Sequence, residues 1–466
     1  MLGKRSHESG IEGNPRNTSS APGRPSRGTS NRSMSEGRAE IDYAARAKET
    51  LGYSRWWQIA AAAVMMALVS PYQYVWSALE GPLAVRLDGS LAVIGFVFTV
   101  YVIVMSLIQF PAGWYRDRHG PRRLILLAGV LAGGGYLGTA ISTEIWQLYV
   151  SYGLGAAGVG IVYTIAVNTA IKWFPDRRGL TTGVGTMAFG AGGALFIPYV
   201  RANAGPAALP DALTVMGIVI GVGILVGAVV LRDPPTGFVE EGFEPASGGD
   251  DDRDQADAPT REDGGAVQYT WRETVRTWQF WVMYLMFFFV AAAGLMITAR
   301  VILYAEALAL TALIATVAAT ILPLASGGGR LIVGGLSDRF PREQVMAASF
   351  LACGIGTLAI VGFGGMGIGA GYVLAVAVAV FFWSSQFALF PSTVGDYYGQ
   401  RHSSSNYALL YSAKMWGGVF GGGVVGWLVG VIGWDATFLL GGVLALAAGV
   451  MGLFLRPPSG RPGTIE

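Results

Sequence analysis

The chain has 466 residues, of which 52% are hydrophobic and 13% charged, with 68 glycines; no ordinary soluble domain of this size combines those values. One cysteine, Cys353, and three histidines, His7, His119 and His402, exclude a disulfide framework and offer no metal or haem constellation, so no cofactor is expected. A formal charge of +2 leaves no electrostatic footprint for nucleic acid, and the positive mean hydropathy makes the lipid bilayer the expected surrounding.

Residues 1 to about 54 are rich in Gly, Ser, Pro, Arg and Glu and hold no apolar run suited to a signal peptide, which predicts a disordered tail. Two N-x-S sequons in it, at Asn17 and Asn31, read as chance matches on a cytoplasmic segment. Apolar runs of roughly 20 residues, the length that crosses a ~30 Å hydrocarbon core, then recur almost to the C-terminus. Their approximate cores are 56–79, 91–114, 123–141, 146–171, 180–200 and 211–231, then 279–303, 309–336, 344–364, 368–391, 404–430 and 434–455. They lack polar/apolar alternation, so they are helices of a bundle and not barrel strands. The expected fold is therefore an all-α membrane protein, with six-helix bundles at 55–231 and 278–456. Between them, 232–277 contains "EPASGGDDDRDQADAPTREDGG", an acidic stretch that cannot build a core and reads as a mobile linker; 457–466 is a second tail.

The loops "RDRHGPRR" (116–123), "KWFPDRRG" (172–179) and "SDRFPRE" (337–343) are basic and fall on one side, whereas the opposite loops carry few Lys or Arg. The positive-inside rule places both termini and the linker in the cytoplasm. Two of these loops also repeat one another. "GWYRDRHG" follows the second segment and "GGLSDRFP" the eighth, setting Asp117 against Asp338 and Arg118 against Arg339 at one constant offset; "WFPDRRG" and "YYGQRHS" echo each other after segments 4 and 10. Parallel six-helix halves of this kind are a transporter architecture with the substrate near the midplane.

"GWYRDRHGPRR" resembles the loop signature of the major facilitator superfamily, and "GGLSDRFPR" its weaker second copy. The resemblance implies a cytoplasmic gate built from Gly113, Asp117, Arg118, Gly120 and Arg122, with Asp338 and Arg339 in the second half. There Asp117 would accept charge-assisted hydrogen bonds from arginine groups and sit at a helix N-terminus.

Nearly every other charge lies outside the segments or at their ends, which singles out Arg330, in "LASGGGRLIVGG", and Lys414, in "NYALLYSAKMWGG". At 1.5 Å per residue both sit roughly 12 to 15 Å below the cytoplasmic edge. A cation at that depth costs about 2.5 to 3.5 kcal/mol unless it is compensated. Glu80, Glu306 and Asp435 fall at segment ends, so no buried carboxylate is expected beside the two cations; a substrate anion is the simplest partner.

Segment 1 with "PYQYVWS", segment 8 with "GGGRLIVGGLSD", segment 10 with "FFWSSQFALFP" and segment 11 with "NYALLYSAKMWGG" together resemble the oxalate:formate antiporter branch. In that branch an Arg on helix 8 and a Lys on helix 11 clasp the carboxylates of a small dicarboxylate, and these positions match Arg330 and Lys414. The resemblance makes Trp383 and Phe387 one wall of the site, and Gln73, Tyr74 and Tyr163 the other. Phe387 departs from it, since a tyrosine is expected there in oxalate carriers. The same features resemble proton-coupled monocarboxylate carriers, in which an Asp stands one turn before the helix-8 Arg; here that position is Ser326, which favours exchange over symport. Glycines spaced by four, Gly417 and Gly421, and Gly418, Gly422 and Gly426, fit close helix packing or sliding. The expectation is a monomeric alternating-access carrier of small carboxylates in the plasma membrane and not an enzyme, with a non-transporting sensor or scaffold as the rival of another class.

Overall fold

The computed structural model describes residues 43–174, 178–205, 207–235, 238, 268–337, 339–399 and 402–458. Among the described residues, eleven helices are long and apolar enough to cross a membrane, and a bent pair makes a twelfth. In chain order, span 1 is Trp56–Tyr74 with Trp76–Arg86, span 2 Leu91–Gly113, span 3 Arg122–Ile141, span 4 Ile145–Ala170, span 5 Gly183–Ala202 and span 6 Leu209–Val230. Span 7 is Trp278–Ala307, span 8 Ala312–Leu336, span 9 Arg342–Gly365, span 10 Gly369–Tyr398, span 11 Asn406–Ile432 and span 12 Trp434–Phe454. The expected all-α architecture of twelve membrane helices is what the chain forms.

The two halves are built alike. Spans 3 and 6 pack closely through glycine, a Cβ on Gly133 falling 2.8 Å from the Gly217 carbonyl, and spans 9 and 12 meet through Gly354 against Leu446. These four spans turn large apolar side chains outward, including Val130, Val222, Ile355 and Val443, as lipid-facing helices do. Exposed tryptophans at the span ends, Trp56, Trp146, Trp278 and Trp427 among them, suit the headgroup region.

The seam between the halves is lined by spans 1, 2 and 5 on one side and 7, 8 and 11 on the other. Gly422 backs onto span 2, where an added Cβ would stand 2.6 Å from the Gly95 carbonyl, and Thr99 donates to the Gly418 carbonyl at 3.0 Å. Spans 5 and 8 approach at Gly190 and Gly327, leaving 2.8 Å for a Cβ. The glycines spaced by four on span 11 thus sit where helices touch.

Three regions differ from the sequence reading. Span 1 does not end near 79: it breaks at Val75, bends by 48° and continues to Arg86. The end of the expected tail forms a helix, Tyr43–Leu51, whose Ala47 is buried and whose Tyr43 ring lies 6.0 Å from Phe238. Residues 268–277 dock on the second half instead of belonging to a free linker: the Tyr269 N–H donates to the Tyr398 carbonyl at 2.9 Å, and Thr270 and Glu273 form a capping box. Residues 1–42 of the tail and 236–237 and 239–267 of the linker lie outside the described residues.

Candidate functional site

Arg330 reaches the interior because span 8 is thin just before it. Gly327 faces span 5, and Gly329 rests against the Phe381 carbonyl of span 10, leaving no room there for a side chain. The run Gly327 to Gly329 therefore wedges span 8 between spans 5 and 10 and delivers the guanidinium to the seam. Arg330 is 5% exposed and Lys414 2%, so both charges are removed from bulk solvent.

One ring lies under both. The Arg330 guanidinium is 4.5 Å and the Lys414 ammonium 5.4 Å from the Phe387 centroid, within cation–π range. Arg330 also donates from Nη2 to the Tyr74 hydroxyl at 3.3 Å and from Nη1 to the Thr186 carbonyl at 3.2 Å. Lys414 donates to Gln73 Oε1 at 3.4 Å and to the Tyr411 hydroxyl at 3.2 Å. All of these partners are neutral. Among the described residues no carboxylate lies within ion-pair distance of either cation, which leaves two positive charges in a low-dielectric interior.

The aromatic and polar residues named from the sequence lie around the two cations. Trp383 is buried with its ring perpendicular to Phe387 at 5.6 Å, and Gly294 of span 7 has no side chain because the indole occupies that space. From the first half, Gln73 and Tyr74 are buried and touch the cations directly. Tyr163 is half-buried and joins at one remove: its ring stands 5.1 Å from Phe189, whose ring lies 5.9 Å from Tyr74 and 5.8 Å from the Arg330 guanidinium. Ser326 is tied to Tyr74, with 2.7 Å between the hydroxyl oxygens.

Phe189 and Tyr411 are site residues that the sequence reading missed. Tyr411 carried a signal, standing three positions before Lys414 and hence on its helix face. Phe189 carried none, being one aromatic among many in membrane helices.

One expectation about buried charge is corrected. Glu80 is not at a segment end: the continuation of span 1 past Val75 leaves it fully buried, paired with Arg300 of span 7. Arg300, which the sequence analysis does not single out, is itself fully buried. The two charges of this pair offset each other, and the pair does not neutralise Arg330 or Lys414.

The gate motif is placed in part. Gly113 is half-buried beside Thr164, Gly120 ends its helix at φ +75°, Arg122 opens span 3 exposed to solvent, and Arg339 is exposed. Asp117 and Arg118 lie in the helix Gln109–His119, but their side chains, like all of Asp338, are outside the described residues. The described charge contact at this loop is Arg116 with Asp233 at 3.1 Å, joined by Lys172 at 3.4 Å; in the second half Arg342 pairs with Asp396 at 2.7 Å.

Comparison with known proteins agrees with this architecture. The family model described as Major Facilitator Superfamily matches residues 57–422 and, in a second match, 318–466. The chain is 32% identical over 413 residues to the oxalate:formate antiporter of Oxalobacter formigenes, covering 88% of this chain and 93% of that one. It is 27% identical over 342 residues to the uncharacterized MFS-type transporter YhjX of Escherichia coli, covering 72% and 79%. A D-xylose-proton symporter superimposes with a TM-score of 0.67 at 14% identity, covering 88% of this chain and 99% of that one. A nucleoside transporter gives 0.64 at 11% identity, covering 85% and 99%. At such identities the two structures speak for the fold alone.

Proposed function

The chain belongs to the major facilitator superfamily, a family of multi-pass membrane transporters, and we propose that it exchanges small carboxylates of the oxalate and formate kind by alternating access. The observation that carries this reading is the buried pair Arg330 and Lys414 over one aromatic ring without an acidic partner among the described residues. Two fixed charges of that kind make an anion the favoured guest, and a dicarboxylate can give one carboxylate to each. Arg330 offers a planar fork of donors and Lys414 a compact ammonium. Phe387 and Trp383 hold the apolar faces of the anion, while Gln73 and Tyr74 position the cations.

Exchange follows from the same charges. An empty carrier that closed around them would occlude two uncompensated cations, whereas a loaded one occludes a neutralised site. Ser326, where proton-coupled relatives place an acid, bonds Tyr74 and brings no titratable group beside Arg330. The basic loops face the cytoplasm on this reading, as do both termini, and the carrier works as a monomer in the plasma membrane.

Counterflow of labelled oxalate, formate, lactate and pyruvate into proteoliposomes tests the reading. Wild type should exchange at least one of them, and Arg330→Ala or Lys414→Ala should abolish that exchange. Carboxylate flux untouched by both substitutions overturns the site. Uptake driven by an inward proton gradient instead supports monocarboxylate symport, and no flux of any anion supports a sensor or scaffold.

A further inference from the structure

The buried pair Glu80–Arg300 stands on the route between the central site and the face opposite the basic loops. Arg300 projects from span 7 and touches three other spans. Nη1 donates to Glu80 Oε1 of span 1; Nη2 donates to the Gly422 carbonyl of span 11 at 2.8 Å and to the Leu91 carbonyl at the start of span 2 at 3.3 Å. Space for the guanidinium is made by two glycines: Gly95, where a Cβ would collide with it, and Gly426, where one would lie 2.8 Å from Nη2. The guanidinium thus pins both halves together through a site shaped for it.

Immediately outside the pair lies a cleft of about 490 Å³, lined by Ser77, Gly81, Leu91, Arg201, Leu303 and Glu306. Its rim carries a second ion pair between the halves, Arg201 with Glu306 at 3.0 Å. Inward from the cleft, span 1 carries Glu80 and Ser77 about one turn apart and, across the break at Val75, Gln73, which accepts from Lys414. Ser77 Oγ, Gln73 Nε2 and Arg300 Nε are buried polar atoms without a hydrogen-bond partner among the described residues. Polar groups therefore run from the central cations, past Arg300, to the cleft.

We propose that Arg300 is a second anion-binding position on the transport route, held by Glu80 while the face opposite the basic loops is shut and passed to the substrate carboxylate as that face opens. The inference rests on the carboxylate-carrier reading. Opening this face separates span 1 from span 7 and strips Arg300 of its counter-ion in a site of low dielectric, which is unfavourable unless another anion arrives. A carboxylate moving between the clasp and the cleft is that anion. Glu80 is thus an internal stand-in for the substrate, and the face opens readily only when an anion is present to take its place.

The test uses the full chain in proteoliposomes, comparing net efflux of a labelled carboxylate into anion-free medium with counterflow against the same carboxylate. A second readout is the labelling of Leu303→Cys by a membrane-impermeant maleimide; the chain's one native cysteine, Cys353, is buried. Glu80→Gln should raise the ratio of net efflux to counterflow roughly tenfold and make Leu303→Cys labelling independent of added anion, because the stand-in charge is gone. Glu80→Asp, which keeps the charge, should restore both towards wild type. Should Glu80→Gln not fold, Arg300→Lys keeps the ion pair but loses the fork; it should slow counterflow while the carboxylate still protects the protein against thermal unfolding. Wild-type flux with an unchanged ratio and anion-dependent labelling in Glu80→Gln, or unslowed counterflow in Arg300→Lys, overturns the inference alone. No carboxylate flux and no thermal protection in wild type overturns the carrier reading and the inference with it.

Discussion

The hydroxyls of Tyr74 and Ser326 lie 2.7 Å apart, joining span 1 of the first half to span 8 of the second beside the Arg330 guanidinium. Both residues are buried, so the bond forms in surroundings where few competing partners exist. It holds the phenol where Arg330 can donate to it, and Ser326 occupies the position, one turn before Arg330, where an acid would pair with the guanidinium.

Replacing Ser326 by Asp should therefore convert the site. The new carboxylate, one turn before Arg330, pairs with the guanidinium and displaces the substrate when ionised. Exchange by Ser326→Asp should be weak at neutral pH and recover as pH falls and the acid takes up a proton, whereas Ser326→Ala should show no such recovery. Counterflow measured from pH 5 to 8 checks this; identical pH profiles for the two variants would contradict the placement of Ser326.

Phe387 supports both cations, and its removal should be felt at both. Phe387→Leu gives up cation–π interactions worth about 0.5 to 2 kcal/mol each and should raise the KM for exchange roughly tenfold. Phe387→Tyr keeps the ring and adds a hydroxyl, so it should favour dicarboxylates over monocarboxylates. The ratio of the two KM values is the measurement, and a ratio unmoved by the tyrosine would show that the ring edge does not face the substrate.

Arg330→Lys keeps the charge and loses the fork. Counterflow should fall by more than tenfold although binding of the anion is retained, because a point charge on a flexible stem does not reproduce paired donors. Thermal stabilisation by the anion reports binding separately from flux. Full counterflow in Arg330→Lys would mean that charge alone matters.

At the seam between spans 2 and 11, Gly422 faces the Gly95 carbonyl with 2.6 Å for a Cβ. Gly422→Val should force the spans apart at a cost of about 1 to 3 kcal/mol, typical of overpacking. A lowered unfolding temperature in detergent, together with faster maleimide labelling of Leu303→Cys, is the expected pair of results. An unchanged unfolding temperature would argue that the seam yields freely.

The sequence made the spans and the central cations legible because an apolar run of fixed length, and a charge inside it, are signals that survive without three-dimensional knowledge. Arg330 and Lys414 stood out for that reason, and Gln73, Tyr74, Trp383 and Phe387 were found through family resemblance; all six come together. Glu80 was misread because hydropathy measures the length of a span but not its bend. With the break at Val75 unseen, Glu80 fell at an apparent end, and Arg300, a few residues from the apparent end of its own segment, drew no notice. Phe189 was out of reach for a different reason: aromatics are common in membrane helices, and only the neighbours Tyr74, Tyr163 and Arg330 give this one a role.

The break at Val75 divides span 1 into two rods joined by a hinge. Gln73 and Tyr74, which touch the central cations, sit at the end of one rod, and Glu80 sits in the other. On the proposed reading, selectivity and leak are therefore written on separate pieces of the same helix. On that reading, a population under selection could alter how well the carrier tells one anion from another without loosening its outer seam, or change how tightly it is sealed without altering what it recognises.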